Sequence, residues 1–312
     1  MQQLKIFDAQ DFPIYLPKLN ELYDDLFAGG KGFRAKLTKR IADAIELSTS
    51  TTQLLCQTIE FVHNASLLHD DLIDRSVLRR EKTAAWLKYT PEYAVLAGDY
   101  LLARVMVNLS RHGNLPVIQL TSEVISDLLE GEWIQDSLVN DWSLQFGQLD
   151  RVHRLKTGSL FSWCIRAPFL AKDMNQPELH EILTELGVTL GLLFQRSDDL
   201  LDFDIRNIEK KAVLGDLHSG YLNSFAVFLL DGYSVEEKKK LARLQTIQEF
   251  RKEYGEEKFN LRLESFDQMN SRLIELYHHR LEQVQQMLPL QGAKLQTSLR
   301  EVAKILYWRN IS

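Results

Sequence analysis

Two segments of this chain place three aspartates at the same helical spacing, each directly after an apolar run. The two aspartate triads are Asp70, Asp71 and Asp74, and Asp198, Asp199 and Asp202. Residues four apart on a helix lie one above the other, so each triad brings like charges together and they repel each other. A solvated acidic face explains one such triad, but two triads at matched spacing favour a shared function.

We expect the two triads to hold hard divalent cations. If their helices face each other, six carboxylates surround one cavity, which is electrostatically stable only when cations fill it. Magnesium prefers oxygen ligands and is usually bound by one or two carboxylates together with substrate phosphates. The sequence therefore predicts a site for a polyphosphate that is carried on magnesium.

The composition favours a globular enzyme over several other classes of protein. The chain has 312 residues, of which 45% are hydrophobic and 26% are charged, and its net charge is −6. The sequence pI is near 5.8, which argues against a general nucleic-acid-binding protein, because such proteins usually carry a basic patch. The two cysteines, Cys56 and Cys164, form no CxxC pair, so we expect no zinc site and a reduced, cytoplasmic setting.

Apolar residues recur at helical intervals along almost the whole chain. In TTQLLCQTIEFVHNASLL, for example, Leu55, Ile59 and Val62 lie on one stripe. Alternating strand patterns with hairpin turns are missing, and so are low-complexity linkers. No apolar run approaches the ~20 residues that span a bilayer, and the amino terminus lacks a signal-peptide pattern. We therefore predict one all-α domain over residues 1–312, without a membrane span.

Basic groups near the first triad predict a second anion site. Lys31 and Arg34 lie in GGKGFRAKL, at the expected start of a helix where free backbone N–H groups also favour anions. His63 lies on the helix that carries the first triad, and Arg79 and Arg80 follow that triad. Each of these residues alone would be an ordinary surface residue. Together they can hold an anion by charge-assisted hydrogen bonds, so we expect two phosphorylated substrates.

Five segments resemble, in order and spacing, those of the trans-isoprenyl diphosphate synthases, the head-to-tail prenyltransferases. GGKGFRAKL is similar to the family's GGKRxRP, and the two triads are similar to its two aspartate-rich motifs. AVLAGDYLLA and KTGSLF resemble its GDxLLA and KTAxLF segments. The resemblance runs from about residue 28 to the carboxyl end. It implies the isoprenoid-synthase fold, a large antiparallel helical bundle around a deep central cavity, and a homodimer with one complete active site per chain.

The resemblance also implies a mechanism and the roles of particular residues. The two triads hold magnesium, three ions per active site with manganese able to substitute, and so clamp the diphosphate of an allylic substrate. The allylic C–O bond ionises, the double bond of isopentenyl diphosphate attacks the carbocation, and a proton leaves. The allylic diphosphate contacts are Arg79, Lys156 and Lys211. The isopentenyl diphosphate contacts are Lys31, Arg34, His63 and Arg80. The residues that stabilise the cationic intermediate are Lys156, Thr157 and Gln195.

At two positions near the second triad the chain departs from the family pattern. Tyr221 and Gly215 stand where the family usually has lysines. Tyrosine can donate one hydrogen bond but carries no charge near pH 7, so we expect an active enzyme with a weakened diphosphate contact. A non-catalytic or partner-dependent subunit stays an alternative. A terpene cyclase would carry Asn and Ser in its second metal motif, unlike SDDLLDFD, and a purely structural helical protein would bind no metal.

The residues just before the first triad predict the length of the product. The diphosphate is held at Asp70, so the growing tail must run back along the same helix. Ala65 and Ser66 are small, which resembles the medium- to long-chain members of the octaprenyl type. Phe61 and Met106 would form a floor further along the tunnel. We expect an all-trans product of about C30–C40, grown from farnesyl diphosphate and feeding a quinone side chain. A geranylgeranyl or other short-chain product is the alternative.

Overall fold

The computed structural model of this protein is mainly helical in the residues that it describes. The described residues are 11–27, 32–79, 82–203 and 213–309. The chain divides into two compact units, of which unit 1 lies within residues 1–126 and 163–180, and unit 2 within residues 127–162 and 181–312. The prediction of an all-α chain is confirmed, whereas that of a single domain stays a prediction. In the part of the chain described here, no helix is long and apolar enough to cross a membrane.

Unit 1 consists of helices and one short hairpin. Its first elements are α1 (Pro17–Phe27), α2 (Phe33–Ala44), α3 (Thr49–Ile73), β1 (Leu78–Arg79), β2 (Lys82–Thr83), α4 (Ala85–Lys88) and α5 (Pro91–His112). The next helix, α6 (Leu115–Ser137), belongs to this unit up to Ser126.

Helices α3 and α5 form the centre of unit 1 because their apolar stripes pack against each other. The side chain of Ser48 caps α3 by accepting the N–H of Thr51 at 3.2 Å, which satisfies one of the open donors of the first turn. Gly98 allows the two helices to approach closely, since a Cβ atom there would lie 2.2 Å from the imidazole of His69. The glycine of the GDYLLA segment therefore makes room for the residue that precedes the first triad.

A short hairpin follows α3, and the sequence pattern does not indicate it. Residues Leu78 and Arg79 pair antiparallel with Thr83 and Lys82. The sequence predicts no hairpin because strands of two residues are too short to show an alternating pattern. The hairpin matters for function because it returns Arg79 to the end of α3.

Unit 2 contains the rest of α6 and the helices that follow it. Its elements are α7 (Phe146–His153), a π-helical turn (Arg154–Gly158), α8 (Ser159–Ala171) up to Ser162, α9 (Pro177–Asp199) from Glu181, a 3₁₀ turn (Leu200–Phe203), α10 (Gly215–His218), α11 (Ser224–Leu229), α12 (Val235–Leu241), α13 (Ile247–Tyr254), α14 (Glu256–Met287), α15 (Pro289–Leu299) and α16 (Val302–Trp308). The remaining parts of α8 and α9 belong to unit 1.

An aromatic core in unit 2 holds the turn that carries the end of the second triad. The ring of Phe203 packs edge-on against Phe225 and Phe250, with centroids 5.0 and 5.6 Å apart. Phe225 in turn packs against Phe259 and Phe266, at 5.8 and 5.2 Å. Such pairs contribute about 0.5–1.5 kcal/mol each beyond burial, so the core fixes the backbone on which the acidic residues stand.

Candidate active site

The first aspartate triad lies at the carboxyl end of α3, and its three members differ in exposure. Asp70 is partly exposed, Asp71 is buried and Asp74 is exposed. Asp74 is one residue beyond the last residue of the helix, but its amide still donates to the carbonyl of Asp70 at 2.8 Å. The helical spacing of the triad is therefore kept.

Arg79 pairs with the buried member of this triad. Its Nε donates to Oδ1 and Oδ2 of Asp71 at 2.8 and 3.0 Å, and its Nη2 also donates to Oδ1. A guanidinium that forks onto a carboxylate makes one of the stronger charged hydrogen-bond pairs in proteins. The structure thus brings Arg79 and the first triad together, as a shared contact with one diphosphate requires.

Two of the residues assigned to isopentenyl diphosphate also meet in unit 1. Arg34 Nη1 lies 3.0 Å from His63 Nε2, although 29 residues separate them. Arginine can only donate, so His63 accepts through Nε2 and is neutral in this arrangement. Buried Glu60 supports the pair, because its carboxylate accepts the N–H of Ala35 at 3.0 Å and so holds the first turn of α2 beside α3.

The second triad lies in unit 2, where Asp199 is buried and held by several hydrogen bonds. Its Oδ1 accepts Gln195 Nε2 at 2.9 Å, and its Oδ2 accepts the backbone N–H of Ser224 at 2.9 Å. Burial raises the pKa of Asp199 to about 6, although the hydrogen bonds from Ser224 and Gln195 favour the charged form. A positively charged partner would therefore stabilise the charged form of this carboxylate.

Asp202 is buried in the turn that follows α9. One carboxylate oxygen, Oδ1, accepts the backbone N–H of Asp216 at 3.2 Å. The other, Oδ2, is buried and has no hydrogen-bond partner in the part of the chain that the structure describes. Burial, and then the charge of Asp216, raise the pKa of Asp202 to about 7. A buried oxygen that lacks a donor is the kind of group that a cation would satisfy.

Asp198 pairs with an arginine from the carboxyl-terminal end of the chain. Arg309 Nη2 donates to Asp198 Oδ1 at 2.9 Å, and its guanidinium carbon lies 3.8 Å from the ring centre of Phe194. Stacking on an aromatic face orients a guanidinium and adds to its binding. Each triad in the described structure therefore has one aspartate that is paired with an arginine.

Two of the three side chains assigned to the cationic intermediate, Thr157 and Gln195, are joined by a hydrogen bond. Thr157 Oγ1 lies 3.1 Å from Gln195 Oε1, to which it donates. Because the Nε2 of Gln195 is engaged by Asp199, the amide oxygen of Gln195 has a defined orientation toward Thr157. Lys156, the neighbouring residue, forms an ion pair with the carboxylate of Glu132 on α6.

Close backbone packing brings Thr157 and Gln195 within reach of each other. Thr157 lies on the π-helical turn, and turns of this kind are frequent at functional sites. This turn packs directly on α9, because a Cβ atom at Gly191 would lie 2.6 Å from the Cα of Gly158. A Cβ atom at Gly131 would likewise meet the side chain of Lys156 at 2.6 Å. These glycines therefore let the KTG segment approach both α6 and α9.

The donor set fits a hard divalent cation. Both triads offer only carboxylate oxygens, the ligands that magnesium prefers, and Asp202 has a buried oxygen without a donor. Within the described ranges no three His, Cys, Asp or Glu side chains lie close enough to ligate one ion together. Magnesium does not require three, because it is usually held by one or two carboxylates with substrate phosphates and water.

The remaining residues named from the motifs in the sequence are Lys31, Arg80, Lys211, Tyr221 and Gly215. Lys31, Arg80 and Lys211 lie outside the described residues. Tyr221 is partly exposed and its backbone N–H donates to the carbonyl of Asp216 at 2.9 Å, while Gly215 begins α10.

Of the residues assigned to the tunnel, Phe61 and Ala65 are fully buried, and Ser66 and Met106 are partly buried. All four lie on α3 and α5 in unit 1. Their role in product length stays a prediction.

Sequence reasoning missed four polar residues that hold assigned residues or their neighbours within each unit. They are Glu60, Glu132, Ser224 and Arg309. Glu132, Ser224 and Arg309 contact Lys156, Asp199 and Asp198 from 24 or more positions away along the chain, and Glu60 contacts the backbone of Ala35, next to Arg34. Only Arg309 has a local signal, as a single cation after the aromatic pair Tyr307 and Trp308.

Comparison with known proteins identifies the family to which these segments belong. Residues 16–259 match the family described as polyprenyl synthetase. A prenyl transferase from Synechocystis is 34% identical over 222 residues, which are 70% of this chain and 68% of that protein. Solanesyl diphosphate synthase 1, chloroplastic, from Arabidopsis thaliana is 33% identical over 73% of this chain. The chain spans 57% of the length of the Arabidopsis synthase, and 38% and 57% of the length of two other curated relatives.

Solved structures show the same fold. A decaprenyl diphosphate synthase from Rhodobacter capsulatus superimposes with a TM-score of 0.79 at 24% identity, over 95% of this chain and 91% of that one. A polyprenyl synthase from Caulobacter crescentus, complexed with calcium and isoprenyl diphosphate, gives a TM-score of 0.73 at 24% identity, over 94% and 89%. The predicted isoprenoid-synthase fold is therefore confirmed.

Proposed function

Because this chain belongs to the polyprenyl synthetase family, we propose that it is a head-to-tail prenyltransferase that makes an all-trans polyprenyl diphosphate. It condenses isopentenyl diphosphate with an allylic diphosphate, for which farnesyl diphosphate is the expected primer. The observation that carries the proposal is the pair of aspartate triads, each at the end of a long helix and each paired with a guanidinium. A terpene cyclase is disfavoured because the second triad is complete, and so is a subunit that has lost its metal-binding residues.

The chain's own charged groups bind the two diphosphates. Arg79 contacts the diphosphate of the allylic substrate beside the first triad. Arg34 and His63 are already 3.0 Å apart and contact the diphosphate of isopentenyl diphosphate. When bound, magnesium neutralises the negative charge that develops on the diphosphate leaving group. The Caulobacter synthase that was solved with calcium and an isoprenyl diphosphate supports a divalent cation for this chain as well.

The side chains around the π-helical turn stabilise the reacting carbon atoms. The allylic C–O bond breaks and its electron pair leaves with the diphosphate. The double bond of isopentenyl diphosphate supplies the electrons of the new C–C bond, and loss of a proton forms the new double bond. The oxygen dipoles of Thr157 and Gln195, held together at 3.1 Å, stabilise the allylic cation, as preorganised dipoles do at a site of developing charge. Lys156 contacts the departing diphosphate.

Product analysis tests this proposal directly. The protein is incubated with farnesyl diphosphate, labelled isopentenyl diphosphate and magnesium, and the chains are separated by chromatography. We expect a hexaprenyl to octaprenyl product, suited to a quinone side chain. A product that stops at geranylgeranyl would contradict the chain length but leave the chemistry intact. Absence of any elongation with magnesium or manganese would reject the activity itself.

The proposed assembly is a homodimer in the cytoplasm. Light scattering after size exclusion gives the mass of the particle, and a monomeric mass would reject the dimer. Subcellular fractionation tests the compartment. Neither result bears on the prenyl-transfer activity, because each chain carries both aspartate triads.

A further inference from the structure

The segment before α1 packs against both α3 and α5, at a level of α3 that precedes the first triad. Phe12 is buried, and its ring packs edge-on against the ring of Phe61 on α3, with centroids 5.9 Å apart and an interplanar angle of 86°. Phe61 is the residue that the sequence suggests as the floor of the tunnel. The ring that supports this floor therefore comes from a distant segment at the start of the described chain.

A buried carboxylate anchors this segment to both helices. Asp11 Oδ1 accepts Arg104 Nε at 3.0 Å, Arg104 Nη2 at 2.9 Å and Asn108 Nδ2 at 3.0 Å, all from α5. Its Oδ2 accepts Gln57 Nε2 from α3. A fully hydrogen-bonded buried carboxylate holds its neighbours in one arrangement. Asp11 therefore fixes the position of the adjacent ring of Phe12.

The rest of the segment turns away into solvent. Asn20 Nδ2 donates to the carbonyls of Pro13 and Leu16, at 3.0 Å each, and so holds the turn that leads into α1. Ile14 and Tyr15 lie in this turn and are 94% and 82% exposed. Phe12 is thus the buried aromatic residue of this turn, and the exposed Tyr15 provides a matched aromatic control.

Phe12 contacts α3 at a level that is suited to limiting a chain that grows from Asp70. Phe61 is nine residues before Asp70, or about 14 Å along a helix that rises about 1.5 Å per residue. Gln57 lies one further turn away. Between these levels and Asp70 the helix carries Ala65, which is fully buried and whose side chain is a single methyl group. The rings of Phe61 and Phe12 are in contact at this level of α3.

From these contacts we propose that Phe12 is a specificity-determining residue that closes the base of the product tunnel, with Asp11 as the residue that positions it. This proposal rests on the proposed prenyltransferase function. A purely structural Phe12 would affect the stability of unit 1 but not the length of the chain. Product length is therefore the measurement that separates the two roles.

Chromatography of the products of Phe12→Ala, Phe12→Leu and Tyr15→Ala tests the proposal. We expect Phe12→Ala to lengthen the longest product by at least one isoprene unit, because the removed ring opens the base of the tunnel. Phe12→Leu should lengthen it less, and Tyr15→Ala should leave it unchanged. Asp11→Asn should broaden the product distribution, since it weakens the anchor without removing the ring. An unchanged product in folded Phe12→Ala, checked by circular dichroism, would overturn the proposal. If Phe12→Ala does not fold, the product of Phe12→Leu decides in the same way.

A binding measurement keeps this inference separate from the proposed function. Calorimetry with non-hydrolysable thiodiphosphate analogues of hexaprenyl, octaprenyl, nonaprenyl and decaprenyl alcohols requires no turnover. We expect the dissociation constant of the wild type to rise at the length that the base excludes, and Phe12→Ala to move this limit to a longer analogue. The same limit in both proteins would overturn the role of Phe12. A wild type that binds the analogues but never elongates would reject the synthase activity alone.

Discussion

The two aspartate triads have the same spacing in the sequence but opposite electrostatic surroundings in the structure. In the first triad, buried Asp71 is compensated by a guanidinium that forks onto both of its oxygens. In the second triad, Asp199 and Asp202 are buried and hydrogen-bonded, and among the residues that the structure describes no guanidinium pairs with either; burial raises the pKa of each. The first triad therefore resembles a satisfied ion pair, whereas the second is strained until it gains positive charge.

This difference teaches how one motif can serve two steps of binding. In the proposed function, the first triad would exchange Arg79 for a cation, and Arg79 would then be available to bind the diphosphate of the substrate. The second triad would instead be stabilised mainly by the cation, because its buried carboxylates have less positive charge nearby. Each prediction below either removes this difference or measures it.

The largest effect, on turnover, is expected when the first aspartate of either triad, Asp70 or Asp198, is replaced. Asp70→Ala and Asp198→Ala should each lower kcat by about 10²–10³, the range seen when one electrostatic stabiliser is removed. The fold should persist, because these carboxylates repel their neighbours when no metal is bound. Steady-state assays with magnesium give the rates, and circular dichroism is the control. Unchanged turnover in both variants would remove the triads from the mechanism.

A second large effect, on product length, should distinguish the helix of the first triad from the helix of the second. Ala65→Phe, five residues before Asp70, should truncate the product to about C15–C20 by overpacking the tunnel beside α3. The matched control is Leu193→Phe, five residues before Asp198 and equally buried. It should lower stability without shortening the product. Equal shortening in both variants, measured by chromatography, would show that length control is not confined to α3.

The two diphosphate sites should respond to different substitutions. Arg79→Ala should raise the Michaelis constant of the allylic substrate by about 10- to 100-fold, as expected for a lost charge-assisted contact of about 1.5–3 kcal/mol. Arg34→Ala should do the same for isopentenyl diphosphate, and Lys31→Ala should follow Arg34→Ala. Initial-rate measurements with each substrate varied in turn give both constants. If both constants rise equally in every variant, two separate anion sites do not exist.

Opposite changes in stability are expected from one substitution made in the two triads. Asp202→Asn should increase the free energy of unfolding at pH 8 by about 1–2 kcal/mol, because the raised pKa of Asp202 means that its charge opposes folding. The gain should shrink as the pH falls below the folded pKa of about 7 and vanish near pH 3, below the unfolded value of 3.8, where Asp202 is protonated in both the folded and the unfolded chain. Asp71→Asn should instead cost about 1 kcal/mol, since Arg79 loses its partner and is itself part-exposed. Urea unfolding in metal-free buffer at the two pH values measures both changes.

The smallest effect concerns the arginine of the second triad. Arg309→Gln should tighten magnesium binding by roughly two- to fivefold, because a part-exposed ion pair worth about 0.2–1 kcal/mol no longer competes for Asp198. Calorimetric titration with magnesium, without substrate, gives the affinity. Arg262→Gln is the control, as Arg262 forms a longer exposed pair with Asp231 elsewhere in unit 2. Weaker magnesium binding in Arg309→Gln would mean that this arginine supports the cation instead of competing with it.

Local patterns in the sequence were sufficient to predict the helices, the triads and the segments that mark the family. Helical periodicity depends on residues three or four apart, and so does the spacing of each triad. The amide of Asp74 therefore bonds to the carbonyl of Asp70 as the sequence predicts, even though α3 ends at Ile73. The facing pair of Arg34 and His63 was also assigned to one site from its motifs, and the structure brings the two together.

What the sequence by itself could not determine is which carboxylate carries which partner, since that depends on contacts between residues far apart in the chain. The tertiary structure returns Arg79 to Asp71 through a hairpin too short to show a strand pattern, and it brings Arg309 to Asp198 across 111 positions. It also buries Asp202 and leaves Asp74 exposed, although both are the last aspartate of an identical spacing. Burial and pairing set the charge of a carboxylate, and both arise only when distant segments pack together.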